Sequence, residues 1–307
     1  MSLLKSTITI YENYINKKFN FIRLKPAYVV AKHSIIYNSN DAKVCKLSIY
    51  NNKIGSLRGV IINIHGGALI SSSANARRGF CNYLASKGYS VVNLNYGLAP
   101  KYNIKDQLSH CNSALQWLAD NAKEWGIPLD NIHIVGDGVG AWFARNMVHL
   151  GANPTVRNLI CVKSHPLKFK SVAYFCGAFD LSNIVDKGKN PHLHNTIQRT
   201  LKASLSVNGT VQDSILDATK LQPDYLLPTY ILHSVNDITP SYQSTKLVNQ
   251  LTEFGTPLWE FNAVKIHAEH NFHLNTNNNY SNRARLSYIR FLNETTADQQ
   301  HSRYIEV

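Results

Sequence analysis

The sequence has no long apolar run. None of its stretches reaches the roughly 20 consecutive apolar residues that a helix needs to cross a bilayer. Residues 1–30 also contain no continuous apolar segment of the kind found in a secretory signal. We therefore expect no integral membrane span and a cytoplasmic location. The segment 1–27 is instead predicted to form an amphipathic helix that packs on the main domain, with apolar positions at helical spacing: Leu4, Ile8, Tyr11 and Ile15.

Cysteine is scarce and shows no pairing pattern. The chain has an odd number, widely spaced and without a Cys-x-x-Cys pair: Cys45, Cys81, Cys111, Cys161 and Cys176. This spacing argues against a zinc-binding module and against a disulfide framework, and it favours buried free thiols in a reducing compartment. The sequence gives no reason to expect a cofactor.

Acidic residues are also few. There are 19 Asp and Glu against 32 Lys and Arg, which gives a formal net charge of +13. Such an excess attracts anionic ligands and surfaces. The basic residues are nevertheless scattered, and the loose clusters at 163–170 and 283–290 lack interleaved aromatic residues and any nucleic-acid motif. We therefore predict a solvated basic surface and no nucleic-acid partner.

Strand-like and helix-like runs alternate from about residue 28 onward, the pattern of an α/β fold with helices around a mostly parallel sheet. The predicted strands are Tyr28–Tyr37, Val44–Tyr50, Val60–Ile64, Ser90–Leu94, Ile132–Val135, Val172–Cys176, Thr229–His233 and Leu258–Asn262. The first two are expected to form an antiparallel hairpin at the sheet edge. The predicted helices are Asn75–Lys87, Lys105–Trp125, Ala141–Leu150, Tyr242–Phe254 and Asn282–Asn293.

One main domain is predicted over 28–294, followed by a loose tail over 295–307. Residues 181–222 interrupt the alternation, because they are polar and lack a strong strand. They lie between the sixth and seventh predicted strands, so we expect a small cap inserted there over the mouth of the sheet.

The segment 131–144 has the pattern of a strand, a sharp turn and a helix. A short apolar run suited to a buried parallel strand comes first, and helical composition begins at Ala141. Between them, Gly136-Asp-Gly-Val-Gly140 is similar to the G-x-S-x-G turn that exposes a nucleophilic serine, with Gly138 at the apex. Taken alone, the segment fits equally well a glycine-rich turn that has no chemistry.

A second motif, His65-Gly-Gly-Ala68, follows the predicted strand Val60–Ile64. In esterases and lipases such a motif follows the third strand, and its backbone N–H groups stabilise the oxygen that becomes negative during ester cleavage. The run Tyr96-Gly-Leu-Ala-Pro100 comes next, and the 136–140 turn follows it.

With these ordered motifs the sequence resembles the α/β-hydrolase fold, specifically the hormone-sensitive-lipase-like branch of carboxylesterases, from about residue 59 to 292. That branch reads H-G-G-G, then Y-R-L-A-P, then G-D-S-A-G-G, then an acid and H-G-F. The resemblance implies an eight-stranded sheet with a small cap, an Asp237–His270 dyad and Gly138 in the nucleophile's place. It also implies an oxyanion hole from Gly66, Gly67, Ala68 and Val139.

Three positions depart from the family's motifs. Ala68 replaces the third glycine of H-G-G-G, which leaves its N–H available. Gly97 replaces the arginine of Y-R-L-A-P, which is expected to loosen a structural contact. Gly138 replaces the serine, and the covalent acyl-enzyme route requires an oxygen or sulfur on that side chain.

The individual residues also have simpler interpretations. Asp237 alone fits a turn or a helix N-cap. His270 belongs to a set of histidines at three-residue spacing, with His267 and His273, which raises the alternative of a metal site. No fourth ligand is evident, however, and the segment is a loop entry, so we expect no metal.

We therefore interpret the chain as a carboxylic-ester hydrolase scaffold that binds a small acyl-ester-like ligand, with hydrolysis lost or strongly impaired at Gly138. One alternative is an active serine esterase inactivated by an engineered Ser-to-Gly change. Others are a non-catalytic binding or interaction protein on this fold, and residual hydrolysis by water that His270 activates. A substitute nucleophile from Ser71, Ser72 or Ser73 is less consistent with the motifs, and a homodimer stays open.

Overall fold

Ten strands are found in the part of the chain that the computed structural model describes, which is residues 25–150, 157–158, 163–207, 210–211, 216–221, 226–263, 268–275 and 278–296. In chain order they are β1 (Val29–Ile36), β2 (Lys46–Asn52), β3 (Val60–Ile64), β4 (Ser90–Leu94), β5 (Ile132–Asp137), β6 (Ser171–Phe175), β7 (Ser206–Val207), β8 (Thr210–Val211), β9 (Thr229–His233) and β10 (Leu258–Asn262). The short β7 and β8 pair only with each other.

The other eight strands form one sheet in the order β1-β2-β4-β3-β5-β6-β9-β10. β1 pairs antiparallel with β2, and β2 pairs antiparallel with β4. Every other pairing in this sheet is parallel. The predicted eight-stranded, mostly parallel sheet with an antiparallel hairpin at its edge is therefore confirmed.

Six helices surround the sheet in the described residues: α1 (Arg78–Ser86), α2 (Ile104–Asn121), α3 (Val139–Val148), α4 (Pro191–Leu205), α5 (Ser241–Glu253) and α6 (Asn279–Thr296). A 3-10 turn over Ala74–Arg77 precedes α1. Helix α2 begins at a capping box, in which Asn103 and Asp106 each accept a hydrogen bond from the other's backbone N–H at 3.0 Å.

The central strands are mostly apolar and fully buried, because both faces of the sheet are covered. All five residues of β3 are buried, and their side chains alternate between two hydrophobic clusters. Ile62 and Ile64 lie in one cluster, and Ile61 lies in the other. Helix α3 is buried along all ten of its residues, so it forms the centre of the first cluster rather than a surface layer.

The predicted cap region contains a helix that was not among the predicted helices. Helix α4 is amphipathic in sequence, with Leu193, Ile197, Leu201 and Leu205 at four-residue spacing, and Ile197 is buried at 2% exposure. The following segment 216–221 packs on α3. Trp142 Nε1 donates to the Leu216 carbonyl at 3.2 Å, and Arg145 Nε donates to the Ala218 carbonyl at 2.7 Å.

Several expectations concern the chain ends and the cysteines. Most of the predicted N-terminal helix and most of the predicted tail lie outside the described residues. Helix α6 extends through Thr296, so the first two residues of the predicted tail are helical. Four of the five cysteines are described, and these are free and buried. Among the helices that the structure describes, none combines the length and the apolarity that a bilayer span requires.

Gly97, where the family has arginine, lies against the ring of Tyr102. A Cβ at Gly97 would lie 2.4 Å from the Tyr102 Cγ. The Tyr102 hydroxyl donates to Asp41 Oδ1 at 2.8 Å, and Asp41 Oδ2 lies 3.2 Å from His110 Nε2. The other ring nitrogen of His110 accepts the Gly97 N–H at 3.1 Å. The tyrosine ring thus fills the space that a side chain at position 97 would need.

We predict that Gly97→Ala lowers the free energy of unfolding by about 2 kcal/mol, because the ring must move and overpacking costs that much. Chemical denaturation of the single variant, of Tyr102→Ala and of the double variant gives the coupling between the two sites. Gly97→Ala should lower the free energy of unfolding less when it is added to Tyr102→Ala, where the ring is absent. Additive effects would contradict the steric explanation.

Candidate active site

The turn between β5 and α3 is held tightly on both sides of its apex. Gly138 has φ 54° and ψ −123°, a conformation that glycine adopts at low cost. Its N–H donates to the Phe175 carbonyl at 2.9 Å, and its carbonyl accepts the Ala178 N–H at 3.0 Å. A Cβ at Gly136 would lie 2.0 Å from the Gly140 carbonyl oxygen, and one at Gly140 would lie 2.2 Å from the Ile64 carbonyl oxygen. The flanking glycines are therefore required by close backbone contacts.

The structure brings the predicted acid and histidine together beside this apex. His270 Nδ1 lies 2.7 Å from Asp237 Oδ1, and the same oxygen accepts the Thr239 N–H at 2.8 Å. Asp237 follows β9 and is 2% exposed, and the His270 side chain is 17% exposed. His270 Nε2 lies 3.3 Å from the position that a Cβ on Gly138 would take. The ring therefore presents its second nitrogen to the apex.

Two opposing effects act on the pKa of His270. Burial favours the neutral ring, but the charge of Asp237 and its hydrogen bond favour the imidazolium. The second effect is larger overall, so the pKa of His270 is raised above its ordinary 6.5. The neighbouring His273 behaves differently, because burial lowers its pKa to about 3 and the ring packs against Phe80 and Phe175. His273 is thus a neutral core residue near pH 7.

Cys176 also lies against the dyad. Its sulfur, a carboxylate oxygen of Asp237 and a ring nitrogen of His270 are all within 4.8 Å of one another. Burial and the adjacent carboxylate raise the pKa of the Cys176 thiol well above its usual range. The thiol is therefore protonated in the metal-free protein. The Nδ1 atom of His270 is engaged by Asp237, so the contacts of this trio are those of a hydrogen-bonded pair beside a buried thiol.

The loop 65–70, which we call the oxyanion loop, lies on the other side of the apex. The Gly66 Cα is 3.9 Å from the position of a Gly138 Cβ. The loop turns back on itself, since the N–H groups of Ile70 and Ser71 both donate to the Gly67 carbonyl. Gly67 and Ala68 have φ values of 116° and 50°. Within the described residues, the backbone N–H groups of Gly67, Ala68 and Val139 donate no hydrogen bond.

Gly66 differs from the other predicted oxyanion donors. Its N–H donates to Asp137 Oδ2 at 3.2 Å, so this group is already used inside the protein. A Cβ at Gly66 would lie 2.5 Å from the Asp137 carbonyl oxygen, which explains the glycine. The expectation that Gly66 donates to a substrate oxygen therefore has to be withdrawn, because one N–H cannot serve both acceptors well.

Asp137 itself joins the parts of the site. Besides the Gly66 N–H, its carboxylate accepts Arg77 Nε at 2.8 Å and Arg77 Nη2 at 2.5 Å, in a two-point ion pair. It also accepts Asn271 Nδ2 at 3.1 Å. Burial alone would raise the pKa of Asp137, but Arg77 lowers it to about 2, so the group stays ionised. Asn271 stands at the family's glycine position with φ 59°, which asparagine tolerates.

The sequence did not predict this network. Arg77 lies 60 residues before Asp137, and Asn271 lies 134 residues after it. The one available signal was Asp137 itself, a charged residue between two glycines at the end of an apolar strand. A charge at a buried position must find a partner, so it indicated that a basic side chain would be near.

The candidate substitute serines have other contacts. The Ser71 hydroxyl donates to the Gly67 carbonyl at 3.0 Å, and the Ser72 hydroxyl accepts Arg77 Nη1 at 3.4 Å. Ser73 is the residue before the 3-10 turn at Ala74–Arg77. No hydrogen bond between any of these three hydroxyls and His270 is found in the described residues.

Solved structures of similar architecture are esterases of low sequence identity. Esterase B from Lactobacillus rhamnosis has a TM-score of 0.80 and 18% identity, and the match covers 97% of this chain and 96% of that one. A hyperthermophilic esterase from the archaeon Pyrobaculum calidifontis has a TM-score of 0.70 and 15% identity, with 96% and 93% covered. At these identities the similarity establishes the α/β-hydrolase fold.

Curated relatives match over shorter stretches. An arylesterase from Saccharolobus solfataricus is 30% identical over 95 residues, which is 31% of this chain and 31% of that protein. A tuliposide B-converting enzyme from Tulipa gesneriana is 29% identical over 175 residues, which is 53% of this chain and 39% of that protein. The chain thus matches between about a third and two fifths of the length of these relatives.

A family-level match covers more of the chain. The sequence pattern of the BD-FAE family matches residues 47–251, more than half of the chain, from β2 into α5. The matched span includes the oxyanion loop, the glycine turn and Asp237, and it ends before His270. The sheet order and the esterase-like architecture agree with this match. The chain therefore belongs to the BD-FAE family and has the α/β-hydrolase fold.

Proposed function

We propose that this protein retains the acyl-ester site of a carboxylesterase but has lost, or nearly lost, the ability to hydrolyse esters. One observation carries the proposal. The imidazole Nε2 of His270 faces a position, at Gly138, where the side chain is a hydrogen atom. An ester bound there meets a base and hydrogen-bond donors but no hydroxyl.

The missing atom matters because of the chemistry of acyl transfer. In a serine esterase the hydroxyl oxygen attacks the ester carbonyl while the histidine takes its proton. The acyl-enzyme that forms is later hydrolysed by water. Gly138 cannot form this covalent intermediate. The dyad of Asp237 and His270 supports only the proton-transfer half of the reaction, and its geometry, with a 2.7 Å contact, is intact.

The other parts of the site are assigned as follows. Gly67, Ala68 and Val139 supply the oxyanion N–H groups, since none of the three donates elsewhere in the described residues. Val139 is the first residue of α3, so its N–H has no acceptor within the helix. The region 181–222 forms the cap that covers the ligand, and its packing on α3 through Leu216 and Ala218 supports this role.

A slower reaction without a covalent intermediate is the second candidate. His270 would remove a proton from a water molecule that attacks a carbonyl held by the oxyanion donors. The raised pKa of His270 favours its role as a proton acceptor. Oxyanion binding without the nucleophile retains about 10³–10⁴-fold acceleration over water in serine proteases, so this route is slow.

The first prediction for the proposed site concerns Gly138→Ser, which supplies the missing hydroxyl. The variant should hydrolyse p-nitrophenyl acetate and butyrate with turnover on the order of 1 s⁻¹ or more, an ordinary value for an enzyme. The unmodified chain should be slower by a factor of at least about 10³. The strained backbone should lower the free energy of unfolding of the variant by about 1 to 3 kcal/mol. Steady-state kinetics and chemical denaturation measure the two effects.

Gly138→Ala is the matched control for this experiment. It places the same Cβ in the same backbone conformation, 3.3 Å from His270 Nε2, and so should lose similar stability. It has no hydroxyl and should gain no activity. A folded Gly138→Ser variant without activity would refute the assignment of this site, and rapid turnover by the unmodified chain would refute the loss of hydrolysis.

The second prediction concerns the pH dependence of Gly138→Ser. The neutral form of His270 accepts the serine proton, so activity should be low in acid and rise as the ring loses its proton. The pKa of His270 is raised above 6.5, so the half-maximal rate should occur above pH 6.5. Asp237→Asn in the same background removes the charge that raises this pKa. The midpoint of the profile should then move to lower pH, and kcat should fall. If Asp237→Asn leaves the midpoint of the pH profile unchanged, Asp237 does not raise the pKa of His270 and its proposed role is wrong.

A further inference from the structure

The space at Gly138 has a defined size and surroundings. An atom placed where a Cβ would lie is 3.3 Å from His270 Nε2, 3.5 Å from His270 Cε1 and 3.9 Å from the Gly66 Cα. These are the three nearest heavy atoms, apart from the glycine's own chain neighbours. In a serine esterase the serine Cβ and hydroxyl oxygen lie between the backbone and the histidine. In this protein the side chain is a hydrogen atom, so a ligand oxygen can approach His270 Nε2 from this side while it keeps van der Waals distance from the Gly138 Cα.

The polar groups assigned to the proposed site are mostly donors. The three N–H groups of Gly67, Ala68 and Val139 have no acceptor among the described residues. Val139 is buried and Gly67 and Ala68 are half-buried, and most buried backbone N–H groups in proteins are paired. His270 adds a fourth donor when it is protonated. Its Nδ1–H is held by Asp237, so the Nε2–H of the imidazolium is the one directed at the space. A ligand with two hydrogen-bond acceptors, one for His270 and one for the backbone N–H groups, fits this arrangement better than a hydrogen-bond donor does.

The charges of the surrounding groups allow an anion. The carboxylate of Asp137 is neutralised by Arg77, and that of Asp237 is neutralised by protonated His270. Burial keeps the other titratable neighbours uncharged near pH 7, because it raises the pKa of Cys176 well above its usual range and lowers the pKa of His65 to about 4 and that of His273 to about 3. With His270 protonated, the four charges around the site therefore sum to zero. Only His270 changes this balance near neutral pH.

We propose that the site at Gly138 binds a monocarboxylate anion, the acid that ester cleavage releases, in preference to the ester. One carboxylate oxygen lies on the side of His270 where a serine hydroxyl would stand, at van der Waals distance from the Gly138 Cα, and it accepts the Nε2–H of His270. The other oxygen accepts the N–H groups of the oxyanion loop and Val139. The inference rests on the proposed function, because it uses the same dyad and the same oxyanion donors, and it names the ligand that they hold.

A serine at position 138 would oppose this binding mode. Its oxygen would stand between His270 Nε2 and the ligand, and it would accept or donate the hydrogen bond that the carboxylate needs. An ester gains less from the site than a carboxylate does. It carries no negative charge, and its alkoxy oxygen is a weak acceptor for the imidazolium. The glycine therefore changes the preferred ligand from the substrate to the product of the ancestral reaction.

The third prediction is that the unmodified full chain binds butyrate with a pH dependence set by His270. Isothermal titration calorimetry with sodium butyrate should show one proton taken up per anion bound above the pKa of His270. The affinity should then fall about tenfold per pH unit. In parallel, the pKa of His270, followed by NMR of its Cε1–H, should rise when butyrate is added. Methyl butyrate, which has the same acyl chain without the charge, should bind at least tenfold more weakly.

Three variants test where the anion binds. Gly138→Ala and Gly138→Ser fill the space and should each weaken butyrate binding at least tenfold. His270→Gln removes the titrating group and should abolish the pH dependence. Leu286→Ala, at an exposed position on α6, should bind butyrate as the unmodified chain does. Equal binding by the unmodified chain and Gly138→Ser would overturn the proposal, and it would indicate that the anion binds elsewhere on the basic surface.

The two proposals fail in different ways. If Gly138→Ser gains esterase activity while the unmodified chain does not distinguish butyrate from methyl butyrate, the carboxylate inference is wrong and the proposed function stands. If Gly138→Ser folds and gains no activity, the assignment of the site is wrong. If, in addition, His270→Gln binds butyrate with the same pH dependence as the unmodified chain, the butyrate binds at a different place.

Discussion

The buried carboxylate of Asp137 is the interaction on which the rest of this site depends. It accepts hydrogen bonds from the Arg77 side chain, from the Gly66 backbone and from the Asn271 side chain. These donors come from three separate segments, namely the 3-10 turn before α1, the oxyanion loop and the loop that carries His270. An ionised group away from water is costly unless all its lone pairs are engaged. The requirement to satisfy this one charge therefore fixes the relative positions of all three segments.

This arrangement explains how the site keeps its geometry without a nucleophile. None of the contacts of Asp137 involves an atom of the side chain at position 138. The Gly138 backbone is held by Phe175 and Ala178, again without a side chain. Gly136 and Gly140 cannot change, since any Cβ there would collide with backbone atoms. Position 138 differs, because the nearest atom to its Cβ would be His270 Nε2 at 3.3 Å, and no backbone atom among the three nearest comes closer than the Gly66 Cα at 3.9 Å. The apex can thus exchange serine for glycine while its surroundings stay in place.

The sequence predicted those features that depend on local pattern. Strands such as Val60–Ile64 were recognisable because mostly apolar runs are characteristic of strands covered on both faces. The turn at 136–140 and the dyad were recognisable through the order of their motifs. Helix α4 was missed although Leu193, Ile197 and Leu201 recur at helical spacing, because the prediction for this region rested on its polar composition alone. The Arg77–Asp137–Asn271 network was missed for a different reason. It joins residues far apart in the chain, and nothing in a single sequence indicates which distant donor reaches a buried carboxylate.

Backbone strain and unpaired N–H groups near Gly138 indicate whether this site still binds a ligand. The oxyanion loop holds Ala68 and Leu69 at positive φ, a conformation that non-glycine residues rarely adopt, and Ser72 just after the loop has the same conformation. A buried N–H group without an acceptor costs about 1 to 3 kcal/mol, and Val139, whose N–H has no acceptor in the described residues, is 1% exposed. A scaffold that served only as a stable fold would be more stable with these donors paired and the loop relaxed. Strain of this kind beside the hydrogen-bonded Asp237–His270 pair supports the proposed ligand site, because strained backbone clusters at functional sites. A ligand that accepts these hydrogen bonds restores the missing stability when it binds, so the unpaired donors and the strained loop favour a binding role over an unused remnant of the active site.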